Sequence, residues 1–252
     1  MKSMLELEII GEGATTKIYR DGCTAIKLYV NAASDYVDNE AECQRFAFNA
    51  GLPVPAVYGV RKIDENSVAL DMEYINGIPL IHPGMDKYER KEAIRTLVKL
   101  QCMVHNVSAS NLPKQSDILA WKINNTQFLD EPLKKDLVAL LYQLNNNTDN
   151  LCHGDFHSLN ILYDGSKHWI VDWMDATAGE PLADACRTYL VFKQYMVRSA
   201  GIYLRSFCEE TKVKQDDILQ WLPVIAAARL NENMEDKQRA QLLQIVNEWR
   251  EK

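Results

Sequence analysis

The pattern of the chain changes once, at Gly77 and Pro79, and that change limits the fold more than any other feature. Before it, residues 5–10, 17–20, 24–30, 57–63 and 67–74 are short apolar runs that read as strands, with Asp21-Gly22 and Asp64-Glu65-Asn66 as turns between them. One helix is expected over 34–50, and Pro53 and Pro55 exclude helix from the GLPVPAVYG segment that follows. After the change, residues 85–106, 132–144, 183–200, 202–210, 216–230 and 236–249 carry helical periodicity. A strand–loop–strand stretch over 151–173, with Asp164-Gly165 as its turn, interrupts them. The expected class is α+β. A small antiparallel β lobe with one helix (residues 1–76) precedes a larger, mainly helical lobe (77–252), and the cleft between such lobes is a favoured ligand site.

Charge and cysteine usage exclude some functions. A net charge of −7 argues against binding nucleic acid through its phosphates, which needs a basic face. The six cysteines form no C-x-x-C pair and suit neither a zinc site nor a disulfide framework, so free thiols in a reducing compartment are expected. The stretch MKSMLELEIIGEG lacks a signal peptide's apolar core, and no apolar run approaches membrane-span length. The expectation is a cytoplasmic protein without a membrane or nucleic-acid partner. Nothing in the sequence speaks to its oligomeric state.

Chemistry concentrates in LCHGDFHSLNILYDGSKHWIVDW. His153-x-Asp155 is followed by Asn160 five residues after the aspartate, and Asp172 ends the next apolar strand. Phosphoryl transfer asks little covalent help of a protein. It needs a carboxylate near the attacking hydroxyl and oxygen ligands that hold magnesium against phosphates. The H-x-D-x-x-x-x-N spacing is that of a kinase catalytic loop, with Asp172 in the place of the later magnesium-binding aspartate. The competing reading of Asp155 and Asn160 is an ordinary turn in which both bond their own backbone. His153, Asp155 and His157 also spell H-x-D-x-H, a possible metal-hydrolase cluster. However, His82, His105 and His168 show no complementary ligand spacing.

Residues 151–176 together with Gly179-Glu180-Pro181-Leu182-Ala183-Asp184 resemble the aminoglycoside phosphotransferase and choline kinase-like family, whose pattern is HGDxHxxNIL, a D-W pair, then G-D-P and a further aspartate. Glu180 stands where aspartate is frequent, and Ser158 where proline is. The resemblance implies a protein-kinase-like bilobal fold, with Asp155 as the catalytic aspartate, Asn160 and Asp172 as Mg2+ ligands, and His153 and Asp184 as supports of the loop. His157 is either near the transferred phosphate or a polar loop residue. Gly11-Glu12-Gly13-Ala14-Thr15-Thr16 resembles a Gly-rich phosphate loop, although a plain hairpin turn reads the same. Ala25-Ile26-Lys27 matches the kinase A-x-K pattern, and the family's lysine binds phosphates and pairs with a helix glutamate. Glu40 and Glu42 are the candidates, and the family's distance to G-L-P-V-P favours Glu40; a surface charge is the alternative for either. The segment Asp71–Gly77 resembles the family's hinge and implies adenine contacts through the backbone of Glu73 and Ile75.

The implied activity is transfer of the γ-phosphate of ATP or GTP to a hydroxyl of a small molecule. The alternative is a catalytically silent nucleotide-binding protein on the same fold. A cationic acceptor is suggested by Glu209, Glu210, Asp216, Asp217, Glu232, Glu235 and Asp236, against which stands the common use of such residues to cap and solvate helices. Trp121, Phe192, Tyr195 and Trp221 read as core rather than as a substrate cage.

Overall fold

A computed structural model describes residues 7–13 and 16–251, and the chain divides into two compact units. The first comprises the described residues up to Pro83 together with Ser158–Asp175. Its main sheet is antiparallel, in the order β1-β2-β3-β5-β4, from β1 (Glu8–Glu12), β2 (Thr16–Asp21), β3 (Thr24–Val30), β4 (Val57–Lys62) and β5 (Ser67–Glu73). The expected strand over 5–10 starts partly outside the described residues, and Ala14 and Thr15 of the glycine-rich loop lie outside them too.

Helix α1 (Ser34–Asn49) buries Val37, Glu40, Ala41, Gln44 and Ala47, a stripe at helical spacing. Val37 and Ala41 join Ala25, Tyr29, Val68, Leu70 and Met72 in the core of the sheet. Glu40 therefore sits on the buried stripe, whereas Glu42, two residues on, is exposed. A second, three-stranded sheet of order β6-β8-β9 joins β6 (Ile78–Pro79), β8 (Ile161–Tyr163) and β9 (His168–Ile170). Asp164 shapes the β8–β9 turn by accepting the N–H groups of Ser166 and Lys167, while Gly165 adopts φ 95°.

The second unit comprises Gly84–His157 and the described residues from Ala176 onward. It holds α2 (Lys87–His105), α3 (Gln115–Asn125), α4 (Glu131–Leu144), α5 (Pro181–Tyr195), α6 (Val197–Thr211), α7 (Gln215–Leu219), α8 (Leu222–Arg229) and α9 (Asp236–Arg250). Asp86 and Glu89 form a capping box on α2, and Asp130 caps α4 through the N–H of Leu133. Strand β7 (Asn150–Cys152) pairs antiparallel with β10 (Thr177–Gly179). An antiparallel sheet unit and a mainly helical unit make this the expected α+β class.

The structure departs from the sequence reading in three helical stretches. The run over 183–200 is two helices, because Met196 leaves helical geometry with φ −141° and ψ 57°. The run over 216–230 is also two: Pro223 lies in the first turn of α8, where its missing N–H costs nothing, but it cannot continue a helix from α7. Helix α3 was not anticipated. Its exposed Trp121 and Ile118 blur the apolar stripe on which a sequence reading depends.

Gly179 shows how tightly β10 is seated. A Cβ there would lie 2.6 Å from Gln115 Oε1 and closer still to Gln115 Cβ. Gln115 needs that position, since its Oε1 accepts the N–H of Glu180 at 3.0 Å. Gly179→Ala is accordingly expected to destabilise the protein by about 1–3 kcal/mol through overpacking and the lost bond. Chemical denaturation would measure the change, and an unchanged midpoint would refute the close approach.

Candidate active site

Within the first unit, three of the site residues expected from sequence meet. Lys27 on β3 places Nζ 2.7 Å from Glu40 Oε1 and 2.8 Å from Asp172 Oδ1. A lysine in the middle of a sheet, 8% exposed, is costly unless its charge is matched. Burial alone would lower the Lys27 pKa, but Glu40 and Asp172 outweigh it and raise it above the ordinary lysine value. Burial pushes the Glu40 carboxyl up to about 7, opposed by Lys27. Tyr29 Oη also bonds Glu40 Oε2.

Asp172 follows β9 with φ 68°, a left-handed conformation that Asp tolerates better than most residues. Asn160 ends a 3-10 turn over Ser158–Asn160, immediately before β8. Its carbonyl accepts the N–H of Val171 at 3.0 Å, so Asn160 and Asp172 flank the paired β8 and β9. An amide oxygen and a half-exposed carboxylate at adjacent strand ends are hard donors of the kind magnesium takes.

The other nucleotide-lobe candidates also lie in this unit. Gly11 is in β1, beside a register shift against β2. The N–H of Gly13 bonds the carbonyl of Thr16 at 2.8 Å, and a Cβ on Gly13 would come within 2.7 Å of Thr16 Oγ1. Glu73 closes β5, donating its N–H to the carbonyl of Ala56 at 2.8 Å and accepting Ala56 N–H on its carboxylate at 3.2 Å. Ile75 follows in irregular backbone.

In the second unit, the loop bearing Asp155 is anchored on both sides. The N–H of Gly154 donates to Asp184 Oδ1 at 2.8 Å, and Thr188 Oγ1 donates to the carbonyl of Phe156 at 2.8 Å. Asp184, Arg187 and Thr188 lie at i, i+3 and i+4 on α5, which places all three on one face. The buried Asp184 is satisfied further by His105 Nε2 at 2.9 Å and by Gln101 Nε2 at 3.1 Å. Its acidity is the outcome of opposing effects: burial raises the pKa, but the hydrogen bonds and charge of His105 prevail and lower it. Gln101 Oε1 in turn accepts from Tyr203 Oη at 2.7 Å. His153 is buried, with Nδ1 3.3 Å from the N–H of Asp155.

Asp155 itself holds Oδ1 3.2 Å from Arg187 Nη2 and Oδ2 3.2 Å from His157 Nε2. Burial would raise its pKa. Arg187, then His157 and His153, overcome that and hold the carboxyl well below the usual range. Arg187 also bonds Glu232 Oε1 at 2.5 Å, and Arg229 Nε donates to Glu232 Oε2 at 3.1 Å. Sequence reading did not single out Arg187 or Arg229. The i, i+3 spacing from Asp184 was the available signal for Arg187, and the i, i+3 spacing to Glu232 was that for Arg229.

Among the described residues, no group of three or more His, Cys, Asp or Glu side chains could hold a metal ion, the H-x-D-x-H run included. The acidic residues proposed to draw a cation have local partners in several cases: Glu232 with Arg187 and Arg229, Asp217 with the N–H of Lys214, and Asp236 with Arg239. Phe192 and Trp221 are core, as expected, but Trp121 and Tyr195 are 59% and 58% exposed. Among the described residues, no helix is long and apolar enough to cross a membrane.

The chain resembles known proteins at several levels. It is 25% identical over 185 residues to acyl-CoA dehydrogenase family member 11 of Pongo abelii, covering 62% of this chain and 23% of that protein. The chain thus spans under a quarter of the length of that relative. A thermostable mutant of the aminoglycoside phosphotransferase APH(4)-Ia, solved with ADP and hygromycin B, superposes with a TM-score of 0.71 at 15% identity, over 96% of this chain and 92% of that one. A putative fructosamine-3-kinase from Haemophilus somnus superposes with a TM-score of 0.69 at 13% identity, over 96% and 90% of the two chains. These likenesses show the shared fold. The model of the phosphotransferase enzyme family matches residues 7–220, and the chain belongs to that family.

Proposed function

We propose that this protein transfers the γ-phosphoryl group of ATP or GTP to a hydroxyl of a small molecule. The observation that carries the reading is Lys27 held between Glu40 and Asp172. A buried ammonium fixed by two carboxylates is a preset point charge for phosphate oxygens. Gly11 and Gly13 would let backbone approach the phosphates, and the backbone at Glu73 and Ile75 would meet the base. Asn160 and Asp172 would hold Mg2+, which neutralises charge on the phosphates when bound. That a fold neighbour was solved with ADP and hygromycin B supports a nucleotide and a small-molecule acceptor.

Asp155 would orient the acceptor hydroxyl. Its lowered pKa makes it a weak base, and a weak base suffices for a loose phosphoryl-transfer transition state, in which the attacking oxygen bonds late. The carboxylate stays ionised throughout the neutral range, so protonation of Asp155 should add no acid limb to a kcat profile above about pH 4. His153 and Asp184 would brace the loop, and His157 would hold the second carboxylate oxygen. The acceptor's class is proposed to be an aminoglycoside-like or other cationic molecule. Because Glu232 is already paired, exposed carboxylates such as Glu209, Glu210 and Glu235 carry that part of the reading.

The decisive test is a stoichiometric phosphotransfer assay with labelled ATP or GTP over aminoglycosides, macrolides, choline, ethanolamine and sugars. Asp155→Asn should fold, as judged by circular dichroism, and lose about 10²–10⁴-fold in kcat. Turnover near that of the unaltered protein would remove Asp155 from the reaction.

Metal removal gives a second check. Chelation by EDTA should abolish transfer and Mg2+ should restore it. Asp172→Ala should cost more than Asn160→Ala, because it removes a charged ligand. Transfer that persists without divalent metal contradicts the assignment.

A third concerns the nucleotide. Lys27→Ala should weaken ATP binding by about 1.5–3 kcal/mol and leave adenosine binding nearly unchanged. Calorimetry on both ligands would separate this from general damage, which lowers both affinities alike.

A further inference from the structure

The proposed reading of Asp155 has a dependence on a residue far along the chain. Arg187 commits one terminal nitrogen to Asp155 Oδ1 at 3.2 Å and the other to Glu232 Oε1 at 2.5 Å. Glu232 lies in the segment between α8 and α9, and its second oxygen receives Arg229 Nε at 3.1 Å. Arg229 is itself buried and bonds Gln194 Oε1 on α5 through Nη1. The order of charges is therefore carboxylate, guanidinium, carboxylate, guanidinium. Without Glu232, the buried Arg229 and the partly buried Arg187 guanidinium groups would lose the carboxylate between them, a costly arrangement.

We infer that Glu232 is a positioning residue for phosphoryl transfer: it fixes the Arg187 guanidinium and thereby sets the orientation and the shared positive charge of the Asp155 carboxylate. Two physical reasons support this. A planar guanidinium held at both ends cannot rotate, so Asp155 inherits a fixed partner. One positive charge divided between two carboxylates also leaves Asp155 less neutralised than an exclusive pair would, and able to accept a hydroxyl. Glu232 thus acts through Arg187, not on the substrates.

The inference rests on the proposed function for its kinetic arm only. Glu232→Gln, Arg187→Lys and the double variant would be compared with the unaltered protein, with MgATP as the probe and water as the acceptor, by release of inorganic phosphate. Each single change should lower kcat roughly 10–100-fold with the KM for ATP unchanged, as expected for a displaced catalytic group. The double variant should be no worse than the poorer single one, since both break the same link. Independently, nitrogen–proton spectra of the arginine side chains should show a restrained Arg187 guanidinium, assigned by its absence from Arg187→Lys. That signal should become freely rotating in Glu232→Gln. Arg229→Lys, which keeps the charge but withdraws the Nε contact, serves in its place if Glu232→Gln yields little folded protein. A restrained Arg187 in Glu232→Gln, additive losses in the double variant, or a change confined to KM would overturn the inference. If the unaltered protein neither releases phosphate to water nor transfers it to any acceptor of the panel, the reading of function fails, and the arginine spectra still decide whether Glu232 holds Arg187.

Discussion

A positive charge buried in a β-sheet has to be matched, and much of the first unit is arranged around that need. Lys27 projects from the central strand β3, where the neighbouring core is Ala25, Tyr29, Leu70 and Met72. No water can serve an ammonium there as well as a carboxylate can. The helix after β3 supplies Glu40 from its buried stripe, and the end of β9 supplies Asp172. These partners come from segments 13 and 145 residues away, so the ion pairs tie α1 and the β8–β9 hairpin to the same strand. The two carboxylates differ: Glu40 is almost fully enclosed, whereas 43% of the Asp172 side chain remains accessible. Both carboxylates hold the lysine, the one enclosed and the other open on its far side to solvent.

The second unit solves a different problem, which is to hold a short irregular loop still. A loop has no ladder of its own to satisfy Gly154 N–H and Phe156 C=O. Helix α5 provides both partners from Asp184 and Thr188, one turn apart, and Arg187 on the same face meets Asp155 between them. The buried Asp184 is stable because His105 and Gln101 on α2 complete its hydrogen bonds, and Tyr203 on α6 completes those of Gln101. Three helices thus converge on the residue that supports the loop. The left-handed turn of this loop falls on Gly154, at φ 81°, where glycine has no penalty.

Much of this was legible in the sequence because it is local. The strand over 24–30 and the helix beginning at Ser34 follow from periodicity and turn signals, and the structure reproduces them within a residue. Asp155, Asn160 and Asp172 stood out because a short spacing on one loop and one strand carries its own chemical meaning. Where two signals competed, the local one failed. The apolar pattern suggested continuous helices through Met196 and Pro223, but one helix ends at Met196 and the other is interrupted between Leu219 and Leu222, just ahead of Pro223.

What the sequence by itself determined is the order of elements, the α+β class and the loop that carries the carboxylates, since turn chemistry and side-chain periodicity act between near neighbours. The family resemblance favoured Glu40 as the partner of Lys27, but it is the tertiary structure that decides which charges meet. Glu40 rather than Glu42 faces Lys27 because of the face α1 turns to the sheet, a matter of packing. Glu232, which reads as one acidic residue among many near helix ends, pairs locally with Arg229 at i, i+3 but meets Arg187, 45 residues earlier, only through the fold. A long-range pair such as Arg187 and Glu232 is fixed by where burial leaves a charge in need of a partner, and no motif along the chain spells that out.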